Sequence, residues 1–418
     1  MNSIKKSRFF RNLLLFMAVL GPGIVTANVD NDAGGITTYS MAGASFGYKL
    51  LWVFIPMTLA LIVVQEMSAR MGAVTGKGLS DLIRERYGVR ITLGIMIGLL
   101  LANLGNTFSE FAGIAASTEL LGVNKYISVP LAALLVWWMV VKGSYKLVER
   151  VFLVASGLYL TYVISGVMAH PPWGEVGRQI VTPTFTLSST YITLLIGLVG
   201  TTIAPWMQFY IQSSVVEKGI TAENYKYSRI DVIVGCVMTA LVAMFIVVAS
   251  AATIFANGVH IETARDAAVA LAPLAGRWAS ILFSLGLLNA SVFAASILPL
   301  STAYYICEAF GFEAGIDKSW QEAPVFYWLY TCMVIAGAAV ILIPNIPLIG
   351  VMLWSQVMNG VLLPFILIFI LQLINNKDIM GKFVNSKSFN AVAYLTTGIM
   401  IALTLMLVVI SIFPGALG

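Results

Sequence analysis

Long apolar runs alternate with short polar segments along most of the 418-residue chain. A helix needs about 20 mainly apolar residues to cross the roughly 30 Å hydrocarbon core of a bilayer. The pattern predicts eleven such helices, near residues 12–42, 48–70, 91–120, 127–141, 148–168, 187–214, 229–256, 279–309, 324–343, 347–374 and 390–413. Because a segment in lipid must satisfy its backbone hydrogen bonds internally, we expect an all-α polytopic membrane protein.

Composition agrees with this class. Hydrophobic residues make up 59% of the chain and charged residues 10%, whereas an ordinary soluble domain carries about 25% charged residues. The net charge of +5 comes from basic residues in short segments between apolar runs, which is typical of membrane topology and not of nucleic-acid binding. Cys236, Cys307 and Cys332 each lie in an apolar run without metal-ligand spacing, so we expect three small buried apolar side chains.

The distribution of lysine and arginine predicts the orientation. If the N-terminus is cytoplasmic, the inner segments hold nineteen of these residues and the outer segments hold five. The excess predicts a multi-pass plasma-membrane protein with a cytoplasmic N-terminus and an external C-terminus. The lipid bilayer is thus an expected partner and nucleic acid is not. The oligomeric state stays open, and a monomer is compatible with the sequence.

Two predicted spans are interrupted. The first contains V-D-N-D-A-G-G-I-T-T from Val29, which predicts a polar, glycine-rich break at 28–35. The sixth carries Pro205, which removes a helix hydrogen bond and predicts a break near 202–206. Five spans separate the two breaks, and a unit of five helices inverts the second half of the protein relative to the first. Broken helices at matching positions of inverted repeats are the sequence signature of a transporter's midplane site.

We therefore predict a single transporter domain that spans residues 1–418. Its first repeat covers about 12–168, its second about 187–374, and an additional helix about 390–413.

The first break carries two carboxylates, Asp30 and Asp32, with no basic residue at a similar predicted depth. A charged side chain inside a membrane costs several kcal/mol, so such residues usually bind or relay charge. An unwound helix also offers backbone carbonyls and helix-end dipoles at the bilayer centre. A carboxylate among these groups indicates a cation site.

Several motifs resemble one known family. The segment GPGIVTANVDNDAGGITTYSMAG from Gly21 is similar to the first helix of the NRAMP family of divalent-metal transporters. Further similar segments are ARMGAVTGKGLSDLIRERYG at 69–88, SEFAG from Ser109, GTTIAPW from Gly200 and WSQVMNGVLLP from Trp354. The resemblance covers about residues 21–365. It implies a LeuT-like fold with two inverted repeats and alternating access, and a transporter without enzymatic activity.

The departures from the family motifs are informative. When the first-helix motif is aligned with that of the family without gaps, the family's metal-binding aspartate matches Asp32, and its asparagine ligand matches Gly35. Its sixth-helix methionine and histidine fall on Ala204 and Trp206, and its tenth-helix glutamine falls on Gln356. Methionine sulfur favours soft transition metals. Its loss, with that of one oxygen ligand, predicts a larger and harder site that is poorer in direct protein ligands.

Mg²⁺ fits such a site, because it prefers oxygen ligands in octahedral geometry and retains several waters. Mn²⁺ is a second expected substrate, whereas Ca²⁺ takes six to eight oxygens. The resemblance implies a magnesium-transporting branch of the family. The ion is cargo, so we expect no cofactor.

The predicted metal site comprises Asp32, Gly35, Gln208, Gln356 and the backbone of Thr201 and Ala204. Gln356 is equally suited to an interhelical hydrogen bond. Groups expected around these ligands or in the vestibule are Asp30, Asn31, Thr107, Glu110 and Trp206.

A proton relay needs consecutive titratable groups. His170 and His260 fall in predicted external loops, and span nine contains no arginine. Glu110 matches one acidic position of the family's third helix, and Thr107 replaces the other. We therefore predict uncoupled transport. Entry of a divalent cation gains about 4.6 kcal/mol per 100 mV of membrane potential, a roughly two-thousandfold gradient.

Two other functions stay open. The nearest is a proton-coupled manganese or iron transporter. A more distant one is an amino-acid symporter of the same architecture, although Asp32 would repel a substrate carboxylate. An intramembrane enzyme would need a histidine base or ligand at depth, and neither histidine is placed there.

Overall fold

The computed structural model describes Gly23, Thr26, residues 29–142 and residues 156–412. Its α-helices are α1 (Ala33–Phe46), α2 (Phe54–Thr75), α3 (Leu79–Leu120), α4 (Lys125–Val141), α5 (Leu160–Met168), α6 (Trp173–Val181), α7 (Ser189–Thr202), α8 (Pro205–Glu217), α9 (Tyr225–Thr253), α10 (Ala264–Ala268), α11 (Ala272–Ala275), α12 (Ala279–Phe310), α13 (Pro324–Ile341), α14 (Leu348–Ile374), α15 (Lys377–Met380) and α16 (Lys387–Ile412). Short 3₁₀ helices occur at Leu51–Val53, Ser156–Tyr159, Phe255–Asn257, Val269–Leu271, Gly276–Trp278 and Gly381–Phe383. All regular elements in these ranges are helical.

The helices follow the predicted spans closely. In the part of the chain that the structure describes, eight helices are long and apolar enough to cross a membrane. Two shorter apolar helices, Lys125–Val141 and Gly157–Met168, match the fourth and fifth spans. With α1 as the described part of the first span, these account for the eleven predicted spans. The predicted segments 12–22 and 148–155 lie outside the described residues.

One boundary differs from the prediction. The third span was expected to start near residue 91, but α3 begins at Leu79 and continues through a non-helical Gly88, whose φ is 79°. The nine residues before this kink are rich in charge, so hydropathy alone assigns them to a loop. The turn before α3 contains Gly76, which ends α2 in the left-handed region at φ 65°. A glycine adopts this conformation without strain.

The cysteine expectation is correct for Cys236 and Cys307, which are buried, and wrong for Cys332, which is exposed. The physical reason is the position of Cys332 on α13, whose exposed face also carries Trp328 and Ile335. Apolar side chains on the outer face of a membrane protein contact lipid instead of the core.

The helices that contain the breaks lie at the centre of the bundle. Helix α3 packs along α12 and α14, while α1 contacts α9, α14 and α7. Helices α7 and α14 cross with their backbones in direct contact. A Cβ on Gly200 would lie 2.1 Å from the Gln356 carbonyl oxygen, and one on Gly360 would lie 2.5 Å from the Ile196 carbonyl oxygen. Small residues at helix crossings allow such close approach in lipid.

Candidate metal-binding site at the two helix breaks

The first break is shorter than the sequence suggested. The Asp30 N–H still bonds the Thr26 carbonyl at 3.2 Å, and helix α1 begins at Ala33. Asp32 is the N-cap of α1, and its Oδ1 accepts the Gly35 N–H at 2.6 Å. The described part of the break is therefore residues 30–32.

The two glycines lie inside the first turn of α1 and do not form an unwound hinge. Gly34 makes room for the Gln356 side chain, because a Cβ there would lie 1.9 Å from Gln356 Nε2. The carboxamide of Gln356 on α14 thus rests directly against the first turn of α1. The predicted ligand from the tenth span is adjacent to the first break.

Three oxygen atoms converge on Gly35. The point where a Cβ would lie is 2.7 Å from the Asp30 carbonyl oxygen, 3.1 Å from Thr201 Oγ1 and 3.3 Å from Asp32 Oδ1. These atoms belong to the first break and to the end of α7, so Gly35 is where the two breaks meet. Gly35 has no side chain where the family has an asparagine, and these three oxygen atoms surround the position instead. In this conformation the position is closely packed, and any larger residue must displace the Asp30 backbone.

The second break lies within the predicted interval. Helix α7 ends at Thr202, Ala204 is extended, and Pro205 begins α8. The Ala204 carbonyl accepts from Met207 N at 3.2 Å and from Gln208 Nε2 at 3.4 Å. That oxygen is used by the first turn of α8. Thr201 offers its hydroxyl group in addition to the carbonyl that was expected, because its Oγ1 is buried without a hydrogen-bond partner among the described residues.

Gln356 is held by its neighbours in this state. Its Nε2 donates to Ser355 Oγ at 3.1 Å, and its Oε1 accepts from Asn359 Nδ2 at 3.0 Å. Asn359 also exchanges two hydrogen bonds with Asn106 of α3, at 3.1 and 2.9 Å. A chain of carboxamides therefore links the site to α3. Sequence reasoning missed Asn359 and Asn106; the available signal was a polar side chain three residues after Gln356, which places it on the same helix face.

Two acidic groups meet at the start of α1. Glu110 on α3 is fully buried, and its Oε2 accepts the Ala33 N–H at 3.3 Å. Its carboxyl group interacts electrostatically with that of Asp32, the residue before Ala33. The structure thus places Glu110 beside the predicted ligand.

The remaining predicted residues have other contacts. Asn31 is buried, and its Nδ2 donates to Thr239 Oγ1 of α9 at 2.7 Å. Gln208 Oε1 accepts from Ser68 of α2 at 3.5 Å. Trp206 is buried beside Tyr210, with ring centroids 6.2 Å apart.

Thr107 packs α3 against α13. Its Oγ1 donates to the Asn103 carbonyl at 2.8 Å, and its methyl group lies against Gly337. The expectation that Thr107 lies around the ligands or in the vestibule came from its match to an acidic position of the family's third helix, and it stays a prediction.

Another contact between the breaks was not anticipated from sequence. The Tyr39 hydroxyl lies 2.7 Å from Thr202 Oγ1 and joins α1 to the end of α7. The sequence offers no signal for this pairing, because the two residues are 163 positions apart.

The charge pattern favours a cation with few protein ligands. In the part of the chain that the structure describes, no group of three or more His, Cys, Asp or Glu side chains is arranged to hold a metal. Over the same ranges no ion pair joins Asp30 or Asp32 to a basic residue. An ion at the breaks would therefore be bound by one or two carboxylates, neutral oxygens and water.

Comparison with known proteins relates this arrangement to metal transporters. Residues 23–410 match the model of the Nramp family, described as natural resistance-associated macrophage protein-like. The chain is 27% identical over 407 residues to the divalent metal cation transporter MntH of Deinococcus radiodurans, which covers 94% of this chain and 90% of that protein. It is 24% identical over 415 residues to MntH of Bacillus subtilis, with coverage of 97% and 94%.

Solved structures show the same fold. A manganese transporter from Eremococcus coleocola, in complex with an aromatic bis-isothiourea compound, superimposes with a TM-score of 0.74 at 21% identity, over 94% of this chain and 86% of that chain. Mhp1, a nucleobase-cation-symport-1 family transporter, superimposes with a TM-score of 0.58 at 16% identity, over 94% and 91%. The all-α transporter fold predicted from the sequence is confirmed, while the bounds of its repeats stay a prediction.

Proposed function

The chain belongs to the Nramp family, and from this premise we propose that it is an alternating-access transporter of divalent metal cations that prefers Mg²⁺, also carries Mn²⁺, and is not coupled to protons. Relatives named as divalent metal cation transporters support the cation class. The preference for Mg²⁺ and the absence of coupling rest on the residues of this chain.

The observation that carries the proposal is the convergence of oxygens at Gly35. The carbonyl of Asp30, the hydroxyl of Thr201 and the carboxylate of Asp32 all lie within 3.3 Å of the position that a Cβ on Gly35 would occupy, so these three oxygens are close neighbours. Oxygen ligands suit Mg²⁺ and Mn²⁺, whereas thioether and thiolate ligands select softer metals. The chemistry of the converging atoms therefore favours a hard cation.

Nearby sulfur atoms have other partners. Met207 Sδ accepts from Gln65 Nε2 of α2 at 3.8 Å, and Met352 Sδ accepts from Thr37 Oγ1 of α1 at 3.4 Å. The position that carries methionine in the family is Ala204, which has no sulfur. The atoms available to bind a cation at the breaks are thus oxygens and not sulfurs.

The number of protein ligands also favours Mg²⁺. Mg²⁺ gives up its waters reluctantly and is commonly held by one or two carboxylates while it keeps several of them. Asp32 supplies a carboxylate, and Thr201 and Gln356 supply neutral groups beside it. Such a site binds an ion that arrives partly hydrated.

Uncoupled transport is supported by the lack of a histidine at the site. His170 and His260 are both exposed, and α13 contains no arginine. The membrane potential supplies about 4.6 kcal/mol per 100 mV for a divalent ion, which suffices for accumulation without protons.

The test is uptake into proteoliposomes under an imposed, inside-negative potential, read by a Mg²⁺-sensitive dye. Wild type should take up Mg²⁺, Asp32→Asn should lose most of this uptake, and Ala204→Met should shift the preference toward Cd²⁺. Ala204→Leu is the matched control, since it adds similar volume without sulfur. Wild-type uptake by Asp32→Asn, or equal metal preferences for the Met and Leu variants, would contradict the proposal.

One observation favours a second function, a proton-coupled Mn²⁺ transporter. Glu110 is buried, and its Oε2 accepts the N–H of Ala33, the residue after Asp32, at 3.3 Å. An acid beside the predicted ligand offers a way to exchange a proton for a cation. In that case an inward Mn²⁺ gradient would acidify or alkalinise the liposome lumen, and Glu110→Gln would abolish the pH change while leaving some metal flux. No lumenal pH change during Mn²⁺ or Mg²⁺ uptake is the result expected for uncoupled transport.

A further inference from the structure

Most described buried acids have a hydrogen-bond or ionic partner. Glu66 forms an ion pair with Arg70 at 3.1 Å, Asp231 accepts the Gly23 N–H at 2.7 Å, and Asp32 accepts the Gly35 N–H. Asp30 differs from all of them. It is 2% exposed, and neither of its carboxylate oxygens has a hydrogen-bond partner among the described residues.

The backbone of Asp30 is fixed, so its position is defined. Its N–H bonds the Thr26 carbonyl, and its own carbonyl oxygen is one of the three atoms around Gly35. The next residue, Asn31, is tied to α9 through Thr239. Asp30 therefore lies inside the first break, two residues before the N-cap of α1.

The groups near Asp30 do not neutralise it. Its carboxylate interacts electrostatically with the Asp32 carboxylate, the Tyr39 hydroxyl and the Cys236 thiol. None of these is a cation, and no described ion pair involves Asp30. A buried carboxylate without a partner is costly, and a bound cation removes that cost.

The two acids of the first break, Asp30 and Asp32, differ in their contacts. The Oδ1 atom of Asp32 caps α1 by accepting the Gly35 N–H at 2.6 Å. The two oxygens of Asp30 are not used, and a third buried oxygen without a partner, Asn31 Oδ1, belongs to the next residue. Three of the unpartnered buried oxygens at the first break therefore belong to Asp30 and Asn31.

We propose that Asp30 is a second carboxylate ligand of the transported divalent cation, bound directly or through one retained water. This inference rests on the proposed transport function. Two carboxylates balance the two charges of the ion, and the second one replaces the oxygen and sulfur ligands that are absent at Gly35 and Ala204. The substrate site is thus dianionic, and it rejects monovalent cations because they would leave one buried carboxylate uncompensated.

The variant Asp30→Asn tests this, because it removes the charge and keeps the size of the side chain. Purified variants in proteoliposomes should show a KM for Mg²⁺ that is raised about ten- to a hundredfold, the range found when groups that orient metal ligands are removed. Direct Mg²⁺ binding in detergent, measured by titration calorimetry, should weaken by a similar factor. Competition by Na⁺ should become detectable in the variant and stay absent in wild type.

Two further variants make the test decisive. Glu308→Gln is the control, since it removes a half-buried acid that has its own partner, Ser80 Oγ at 3.1 Å, and its KM should stay near that of wild type. If Asp30→Asn does not give a monodisperse protein, Asp30→Ser serves in its place, because the smaller side chain relieves crowding and also lacks the charge.

The outcomes separate this inference from the proposed function. An unchanged KM and unchanged Mg²⁺ binding in the folded Asp30 variant, with loss of uptake in Asp32→Asn, overturns the role of Asp30 and leaves the transport function intact. Failure of wild type to transport any divalent cation overturns the transport function. A raised KM in Asp30→Asn together with an unchanged one in Glu308→Gln supports the second carboxylate.

Discussion

Substitution of Gly200 by alanine should separate the two helices that carry Thr201 and Gln356. The added Cβ would lie 2.1 Å from the Gln356 carbonyl oxygen and 2.4 Å from Gly360 N. Both atoms belong to the backbone of α14, so no side-chain rotation relieves the contact. An ordinary contact is at least 3.4 Å long. The distance to the Gln356 carbonyl oxygen is about 1.3 Å shorter than that, so the helices must move apart by about 1.3 Å.

The expected cost follows from that distance. Overpacking of a closely packed interface costs about 1–3 kcal/mol, while alanine in place of a helical glycine recovers about 0.5–1 kcal/mol. A net loss of about 1 kcal/mol, and at most about 2.5 kcal/mol, should lower the melting temperature in detergent. A ligand displaced by about 1 Å loses much of its effect, by up to about a hundredfold in enzymes, so the KM for Mg²⁺ should rise at least tenfold.

The assay is paired uptake and thermal unfolding for Gly200→Ala and for Gly398→Ala. Gly398 lies on the exposed face of α16, where a Cβ would meet nothing within 4 Å. The control should therefore keep the wild-type KM and unfold at or slightly above the wild-type temperature. If Gly200→Ala behaves like this control in both measurements, the close crossing of α7 and α14 does not position the site.

Three other predictions follow from single contacts. Lys125 Nζ donates to the Ile341 and Ile343 carbonyls at 2.9 and 3.0 Å. Lys125→Met should therefore lower the free energy of unfolding by about 1.5–3 kcal/mol and the unfolding temperature with it, while the KM stays unchanged. An unchanged melting curve would refute this. Asn106→Leu and Asn359→Leu should show a coupling energy of about 1 kcal/mol in a double-mutant cycle, and strict additivity would mean that the reciprocal amide bonds do not contribute. A membrane-permeant maleimide should label Cys332 in the folded protein, whereas Cys236 and Cys307 should react only after denaturation; equal labelling rates would contradict their burial.

The sequence by itself determined the spans and the places where they break. The bilayer fixes the length of an apolar helix, so hydropathy located helices such as α12, expected at 279–309 and observed at Ala279–Phe310. Proline has a local effect on the backbone, so Pro205 located the second break. Aligned motifs then placed Asp32 and Gln356 at the site, and the structure brings both to the first turn of α1.

The tertiary structure decided which atoms meet at those breaks. The sequence shows two acids two residues apart, but only packing assigns Asp32 to the cap of α1 and leaves both oxygens of Asp30 without a partner. Likewise, Gly35 looked like a lost ligand, whereas the structure shows three oxygens converging on it. The reason is that such contacts join segments more than a hundred residues apart, such as α1 and α7, and the packing of α14 against both sets their distances. Local sequence patterns indicate where a helix ends, while the packing of separate helices determines which oxygen atoms lie close together.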